Sequence, residues 1–479
     1  MRKLLKLPLL SILCLYGAQA FAGANEDLLA ACKGGNLEGA TKAINGGAKV
    51  NALDPDGNTA ISWAFFWPEI TKLLLSKGAD PNLGSGSAVF QASANYSTEV
   101  LKLLLDAGAD PNRPHRVSPG NTFRPLIAAE KAKGKAANQS LIGVWEQAMK
   151  TLKPSEAYAL QAAVYGTSCM PCVEQLLAKG ASVEKGVTDG NNMLHLLADS
   201  ISPTREGWKK GFAQGKTNMQ AFGLKLPDWY AATLPDDRIG TPDQVVKLLV
   251  SKGLNINQKN KGGKLKPMTP LELSLNQGLG KKRELMLALI ANGADVSLVN
   301  EVYGPLILQA VQCGFVDVVE AMVGKGADIN KQGSVFTDAS ETKVQTTFTP
   351  LTTAALKNQL DMVKYLLGAG ARAGDGVNGR IMIKQRVRTS KPTFAGTTVD
   401  ATCLYDGKNR SAIFFAVEND NLEMVKLLAE NNGFDGTPYS FTAAAHGGCA
   451  GSGTFSPSAW AEKSGSSTDL VAYLKSKGL

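Results

Sequence analysis

Histidine, cysteine and clustered acids are the residues of this chain that could do chemistry, and their spacing bears on whether they do. Histidine occurs three times, at His115, His195 and His446. A general base needs a nucleophile or carboxylate held beside it, and none of the three shows such a setting. Cysteine occurs seven times, and Cys169-Met170-Pro171-Cys172 has the spacing of a thiol–disulfide redox motif. Reactivity in that motif requires a helix start in a strand–helix–strand setting. A cysteine pair with no second Cys/His pair nearby cannot complete four zinc ligands. The glycine-rich runs Gly84-Ser85-Gly86 and 447–453 lack both a preceding strand and a following Lys-Ser/Thr, so they read as turns, not as phosphate cradles. Asp228, Asp236, Asp237 and Arg238 gather titratable groups between 200 and 240, yet no spacing among them specifies a reaction. The expectation is a chain without catalytic residue, metal or cofactor, and therefore not an enzyme.

The elements that would position such residues follow a repeating plan. The phrase Lys-Leu-Leu-Leu-Ser-Lys-Gly-Ala-Asp-Pro-Asn at 72–82 returns as Lys-Leu-Leu-Leu-Asp-Ala-Gly-Ala-Asp-Pro-Asn at 102–112, with looser copies at 175–182, 247–257, 288–296, 321–330 and 365–371. Its glycines fall at 47, 78, 108, 180, 253, 293, 326 and 370. Two of the gaps, from 108 to 180 and from 180 to 253, are long enough for two units each. Within 361–371, Met362, Val363, Leu366 and Leu367 recur at helical spacing on one face. Gly370 then stops the helix, in the left-handed conformation that glycine adopts cheaply. Thr349-Pro350-Leu351 opens a shorter helix, with Thr349 as its cap and Pro350 at the first helical position. Two such helices cannot bury both apolar faces alone; stacking of neighbours does it. A stack also explains how 479 residues fold without one large core.

The phrase resembles the ankyrin repeat. Thr349-Pro350-Leu351 and Thr269-Pro270-Leu271 carry the family's opening, and Gly314-Phe315-Val316-Asp317 and Asn421-Leu422-Glu423 its middle. The resemblance implies an all-α ankyrin-repeat solenoid of about eleven helix pairs, whose weakest units fall near 120–153 and 436–479. It also implies that His195 is the structural histidine that ties neighbouring turns, and that Cys169 and Cys172 join the two helices of one repeat, as a structural disulfide. His115, in a proline-containing loop, and His446, before a glycine pair, read as surface or turn residues. Cys32 and Cys313 stand at equivalent repeat positions as buried thiols, and Cys403 and Cys449 are a candidate second bridge.

Insertions interrupt the repeats near 131–140, 200–240, 331–346 and 374–408, and in solenoids such segments often form the binding side. Residues 380–388 alternate, with Arg380, Lys384, Arg386 and Arg388 on one face and Ile381, Ile383 and Val387 on the other, which predicts a strand; Val399–Tyr405 pairs with it as a small β-hairpin near 380–405. The 200–240 insertion carries Trp208, Lys209, Lys210, Phe212, Phe222, Trp229 and Tyr230, aromatics that either pack it down or await a partner. The candidate partner-binding residues are therefore Trp208, Lys209, Lys210, Trp229, Tyr230, Arg380, Lys384, Arg386 and Arg388.

The first 22 residues read as an address: Arg2, Lys3 and Lys6 precede an apolar run from Leu7 to Gly17, with cleavage after Ala20 or Ala22. Cys14 follows Leu13, too bulky for a lipidation site. No other stretch approaches the roughly 18 apolar residues of a membrane span. The domain plan is a leader at 1–22, repeats at 23–199, an insertion at 200–240, repeats at 241–373, the hairpin insertion at 374–408 and repeats at 409–479. Without the leader's three basic residues, 48 Lys plus Arg face 42 Asp plus Glu, a net of +6, too mild for a nucleic-acid binder. The expected protein is a periplasmic monomer that binds another protein, exported or incoming, through the concave face of its repeats and its insertion loops. Exported proteins of similar build resemble immunity proteins against secreted toxins, or helpers of periplasmic enzymes.

Overall fold

The computed structural model describes residues 23–54, 57–117, 127, 130–131, 134, 138–151, 155–165, 169–199, 240–261, 266–276, 282–300, 304–334, 347–388, 398–443 and 452–479; for 379–388 and 398–406 the description is of the backbone alone. Two compact units divide at Gly262/Gly263, and each is a stack of five helix pairs among the described residues.

In the first unit the pairs are α1 (Ala24–Gly34) with α2 (Leu37–Asn45), α3 (Ala60–Trp63) with α4 (Pro68–Ser76), and α5 (Ala88–Ala94) with α6 (Thr98–Asp106). A separate helix, α7 (Gln139–Thr151), precedes the pairs α8 (Ala159–Val164) with α9 (Met170–Ala178) and α10 (Met193–Asp199) with α11 (Pro242–Ser251). The second unit pairs α12 (Pro270–Asn276) with α13 (Arg283–Ala291), α14 (Leu306–Cys313) with α15 (Val316–Gly324), and α16 (Pro350–Leu356) with α17 (Leu360–Gly368). It ends with α18 (Ala412–Glu418) beside α19 (Leu422–Glu430) and α20 (Pro457–Ser464) beside α21 (Thr468–Ser476). Within each unit, first helices pack on first helices and second helices on second helices. This is an all-α repeat stack with small sheets added.

The local chemistry is that read from the sequence. The Thr349 hydroxyl accepts the Thr352 amide at 3.1 Å and the Thr349 amide donates to the Thr352 hydroxyl at 2.8 Å, closing a capping box around Pro350. Met362, Val363 and Leu366 are buried, and Leu367 is half-buried. All eight repeat glycines hold φ between 82° and 98°. None has a neighbour within 4 Å of where a Cβ would stand, so the requirement is conformational, not steric.

Asparagine side chains then tie turn to turn. Asn51 Nδ2 donates to the Gly78 carbonyl at 3.0 Å while its Oδ1 accepts the Asp80 amide at 2.8 Å. Asn82 repeats this toward Gly108 and Asp110, and Asn112 toward Gly180 and Ser182. These bridges satisfy a carbonyl and an amide of each next turn, and they recur with the repeat at Asn51, Asn82 and Asn112. On the second helices, exposed ion pairs cross from one repeat to the next: Lys72 to Glu99 at 3.3 Å, Lys179 to Asp106 at 2.9 Å, Arg283 to Asp317 at 2.6 Å, and Lys364 to Glu423 at 2.9 Å.

The structure corrects the repeat count. Helix α5 packs directly on α8, and α6 on α9, while the asparagine ladder steps from Asn112 straight to Gly180. The unit expected near 120–153 is therefore outside the stack, and α7 belongs to an inserted segment. Strands β1 (His115–Val117) and β2 (Ser155–Ala157) pair antiparallel and close that segment at its root, His115 opposite Ala157. Among the described residues the 180–253 gap likewise holds one pair, α10 and α11, with the 200–240 insertion between its two helices. Length alone cannot distinguish a second repeat from an insertion, so a gap long enough for two units can hold one.

Candidate functional site

Five β-ribbons occupy one slot of the repeat, after a second helix and before the next first helix. They are β1–β2 between α6 and α8, β3 (Val299–Asn300) with β4 (Gly304–Pro305), β5 (Gly333–Ser334) with β6 (Thr347–Phe348), β7 (Val377–Arg388) with β8 (Thr398–Arg410), and β9 (Tyr439–Ala443) with β10 (Ser452–Phe455). A chain that turns back on itself at every helix puts this slot at one end of every pair. The 200–240 insertion leaves from the other slot, between the two helices of a pair, so the insertions do not all map to one side as the sequence implied. Its Trp208, Lys209, Lys210, Trp229 and Tyr230 lie outside the described residues.

The predicted hairpin forms the largest ribbon. From Gly379 to Arg388 the pairing with β8 runs without a break, and Ile381 stands opposite Tyr405 and Val387 opposite Val399. The register sorts the four basic positions into two kinds. Arg380 stands opposite Asp406 and Arg386 opposite Asp400, whereas Lys384 faces Thr402 and Arg388 faces Thr398. The hairpin is also part of something larger, since β9 pairs with β8 and β10 with β9, giving a four-stranded sheet in the order β10-β9-β8-β7. Tyr439-Ser440-Phe441 and Thr454-Phe455 alternate apolar with small polar residues, a strand signal that the glycine-rich surroundings obscured.

A buried plug roots this sheet on the repeats. Arg410, 3% exposed, ends β8 with its guanidinium carbon 4.0 Å from the Phe415 ring centroid and 5.5 Å from that of Tyr439. It forms an ion pair with Glu418, whose Oε1 also accepts the Trp460 indole N–H at 3.1 Å. Tyr439 meets Trp460 edge-on at 5.1 Å and Phe414 at 5.3 Å; Phe441 lies 5.9 Å from Trp460. The charge is thus desolvated with a partner and two aromatic faces, as a buried guanidinium requires.

The candidate chemical residues are structural wherever they are described. His195 is buried, and its Nδ1 lies 2.8 Å from Asn192 Oδ1 and 3.1 Å from the Asn192 amide. His115 corrects the surface assignment: it is buried, stacked on Phe90 at 4.4 Å, and its Nδ1 accepts the Ser87 amide at 3.1 Å. Burial, then the charge of Arg113, push its pKa from 6.5 down to about 4. Its Nε2 has no partner among the described residues. Cys169 and Cys172 are bonded to each other, Cα atoms 5.2 Å apart, and both are fully buried at the start of α9. Cys32 is a buried thiol whose pKa burial pushes up to about 12; Cys313 is half-buried. Cys403 has a described backbone, opposite Ile383 in β8, while Cys449 and His446 lie outside the described residues. Among the described residues no group of three or more His, Cys, Asp or Glu is arranged to hold a metal, and no helix is long and apolar enough to cross a membrane.

Stacked helix pairs with ribbons in one slot define a repeat solenoid, a class built to present extended surfaces to other proteins. Residues 28–115 and 280–378 match the family model described as ankyrin repeats (3 copies), so both units carry ankyrin repeats, which imply a role in protein–protein interaction. A search of curated proteins gave no match. Among solved structures, this chain is similar to a chain of the complex of a predatory endopeptidase from Bdellovibrio bacteriovorus with an immunity protein, at 19% identity and a TM-score of 0.34, over 56% of this chain and 98% of that chain. A likeness at that TM-score carries no argument about this chain.

Proposed function

We propose that this chain is an exported, monomeric, non-enzymatic scaffold that binds one partner protein through the ribbon side of its repeats, and that the partner is a secreted or incoming protein which it neutralises, as an immunity protein does. The observation that carries the reading is the recurrence of ribbons in a single slot of the repeat, which within each unit adds backbone and side chains at one end of the helix pairs, while His115, His195, Cys32, Cys169 and Cys172 are buried in packing. Support for export comes from the basic-then-apolar leader read at 1–22 and from the Cys169–Cys172 bond, since disulfides persist in oxidising compartments.

Capture from envelope extract with the mature chain, followed by co-production of the captured protein with and without the chain, tests the reading. Suppression of the captured protein's toxicity is the expected result; enhancement of its activity would instead make the chain a helper. The leader is tested separately by fractionation, where full-length protein confined to the cytoplasm removes export from the proposal. Reversing charge by Lys384→Glu, opposite Thr402, should leave melting and helicity unchanged while weakening partner binding and its salt dependence. Unchanged affinity would take the hairpin out of the interface.

A further inference from the structure

The sheet order makes β7 a terminal strand: its inner side is paired with β8 along its length. Near its start the Thr347 hydroxyl of β6 donates to the Asn378 carbonyl at 3.1 Å. Beyond that point, among the described residues, no strand pairs with its outer side. At 12 residues β7 is about twice the usual strand length. An unpaired edge of that length is a template for another extended chain, because every second residue offers an outward N–H and C=O. Proteins commonly shorten, bend or cover such edges; this one carries four basic residues and no acidic one along β7. Like charges repel a second copy of the same strand, so the edge is guarded against self-association and left open to a segment of opposite charge.

The register says where the opposite charges belong. Arg380 and Arg386 already face Asp406 and Asp400 across β8, which leaves Lys384 and Arg388, opposite threonines and four residues apart. We propose that the outer edge of β7 receives an extended acidic segment of the partner as a fifth strand, with acidic residues four apart opposite Lys384 and Arg388 and apolar residues at adjacent positions opposite Ile383 and Val387. This rests on reading the chain as a partner-binding scaffold and specifies how one of its surfaces binds. Main-chain hydrogen bonds supply the affinity and the two cations the choice of segment.

The test uses the mature full chain and three labelled eleven-residue peptides of alternating threonine and valine. One carries glutamate at two positions four apart, the second lysine at the same positions, and the third is the glutamate peptide N-methylated at alternate amides along one edge. The expected ranking places the lysine peptide about tenfold weaker than the glutamate peptide, with the methylated peptide also weakened. Hydrogen exchange should slow at alternate amides within 380–388 on binding. Lys384→Glu together with Arg388→Glu should invert the ranking of the first two peptides at unchanged melting temperature. The methylation arm tests the same mode without mutation, should that variant fold poorly. Equal binding of the first two peptides, no binding of either, or protection confined to other segments overturns the proposal. So does concentration-dependent dimerisation that all three peptides leave untouched, which would assign the edge to a second copy. If a captured partner binds the chain but the glutamate peptide does not compete with it and the variant binds it as tightly as the native chain does, the strand-addition mode fails while the scaffold reading stands; if no partner binds by any route, both fall.

Discussion

The repeats at 57–112 and those at 347–464 close the same slot by opposite means. In the first, a single asparagine bridges successive turns: Asn82 satisfies the Gly108 carbonyl and the Asp110 amide, and the linking segment needs only a few residues. In the second, the link between α17 and α18 grows into a long ribbon, and closure is handed to the buried Arg410, Tyr439 and Trp460, with Glu418 at their rim. The polar bridge secures register but buries little surface; the aromatic plug buries much and tolerates a long excursion beyond it. Elaboration of a repeat edge therefore requires a local core, and where that core exists the edge is free to carry a function.

The largest expected effect is at the plug. Arg410→Ala should cost roughly 2–5 kcal/mol, because a buried side chain and its contacts with the Phe415 and Tyr439 rings are lost, and urea melts of the full chain measure it. Arg410→Met, which keeps the volume but not the charge, should cost less than Ala does; equal losses would mean that the charge and not the packing roots the sheet. Next is His115, at the foot of the inserted segment in the asparagine-closed half. Its pKa is about 4 in the fold against 6.5 ordinarily, so the unfolded chain takes up the proton first. Stability is complete above about pH 6.5 and falls as pH drops toward 4, by roughly 3 kcal/mol in all. Protonation also places a second N–H against the Ser87 amide that Nδ1 now accepts. His115→Phe should flatten that slope, and denaturation curves across pH 4–7 decide it.

Smaller effects bear on the plain repeats. Reduction of Cys169–Cys172, or Cys169→Ser with Cys172→Ser, should cost about 2 kcal/mol, since a bridge across so short a loop removes little unfolded-chain entropy; calorimetry with and without reductant measures the difference. Asn82→Ala should cost about 1 kcal/mol by leaving a carbonyl and an amide to water. A loss at Asn82 as large as that at Arg410 would erase the contrast between the two kinds of closure.

Much of the fold was legible because its rules are local. The eight glycines, the Thr349-Pro350 start and the 380–405 alternation each report backbone conformation through residues adjacent in sequence. The repeat count was not legible at 120–153, where 139–151 has helical periodicity but no glycine follows Thr151 to close it as the other units close. His115 was misplaced because Pro114 beside it suggests a loop, whereas its burial is set by Phe90, 25 positions earlier in the chain. The Arg410 plug depends on four residues from separate elements and has no sequence period at all. The basic face of 380–388 was visible, but its division into Asp-matched and threonine-matched positions needed the register with β8.

The β1–β2 pairing at the foot of the first long insertion has a practical corollary. Because His115 and Ala157 stand opposite each other, the chain departs and returns at neighbouring points, and the loop-closure entropy of what lies between is met at the ribbon and not by the helices on either side. Position 115–157 is in effect a port: a foreign module spliced there would ride on the repeats without shifting their phase, and the natural segment could be exchanged or removed on the same terms.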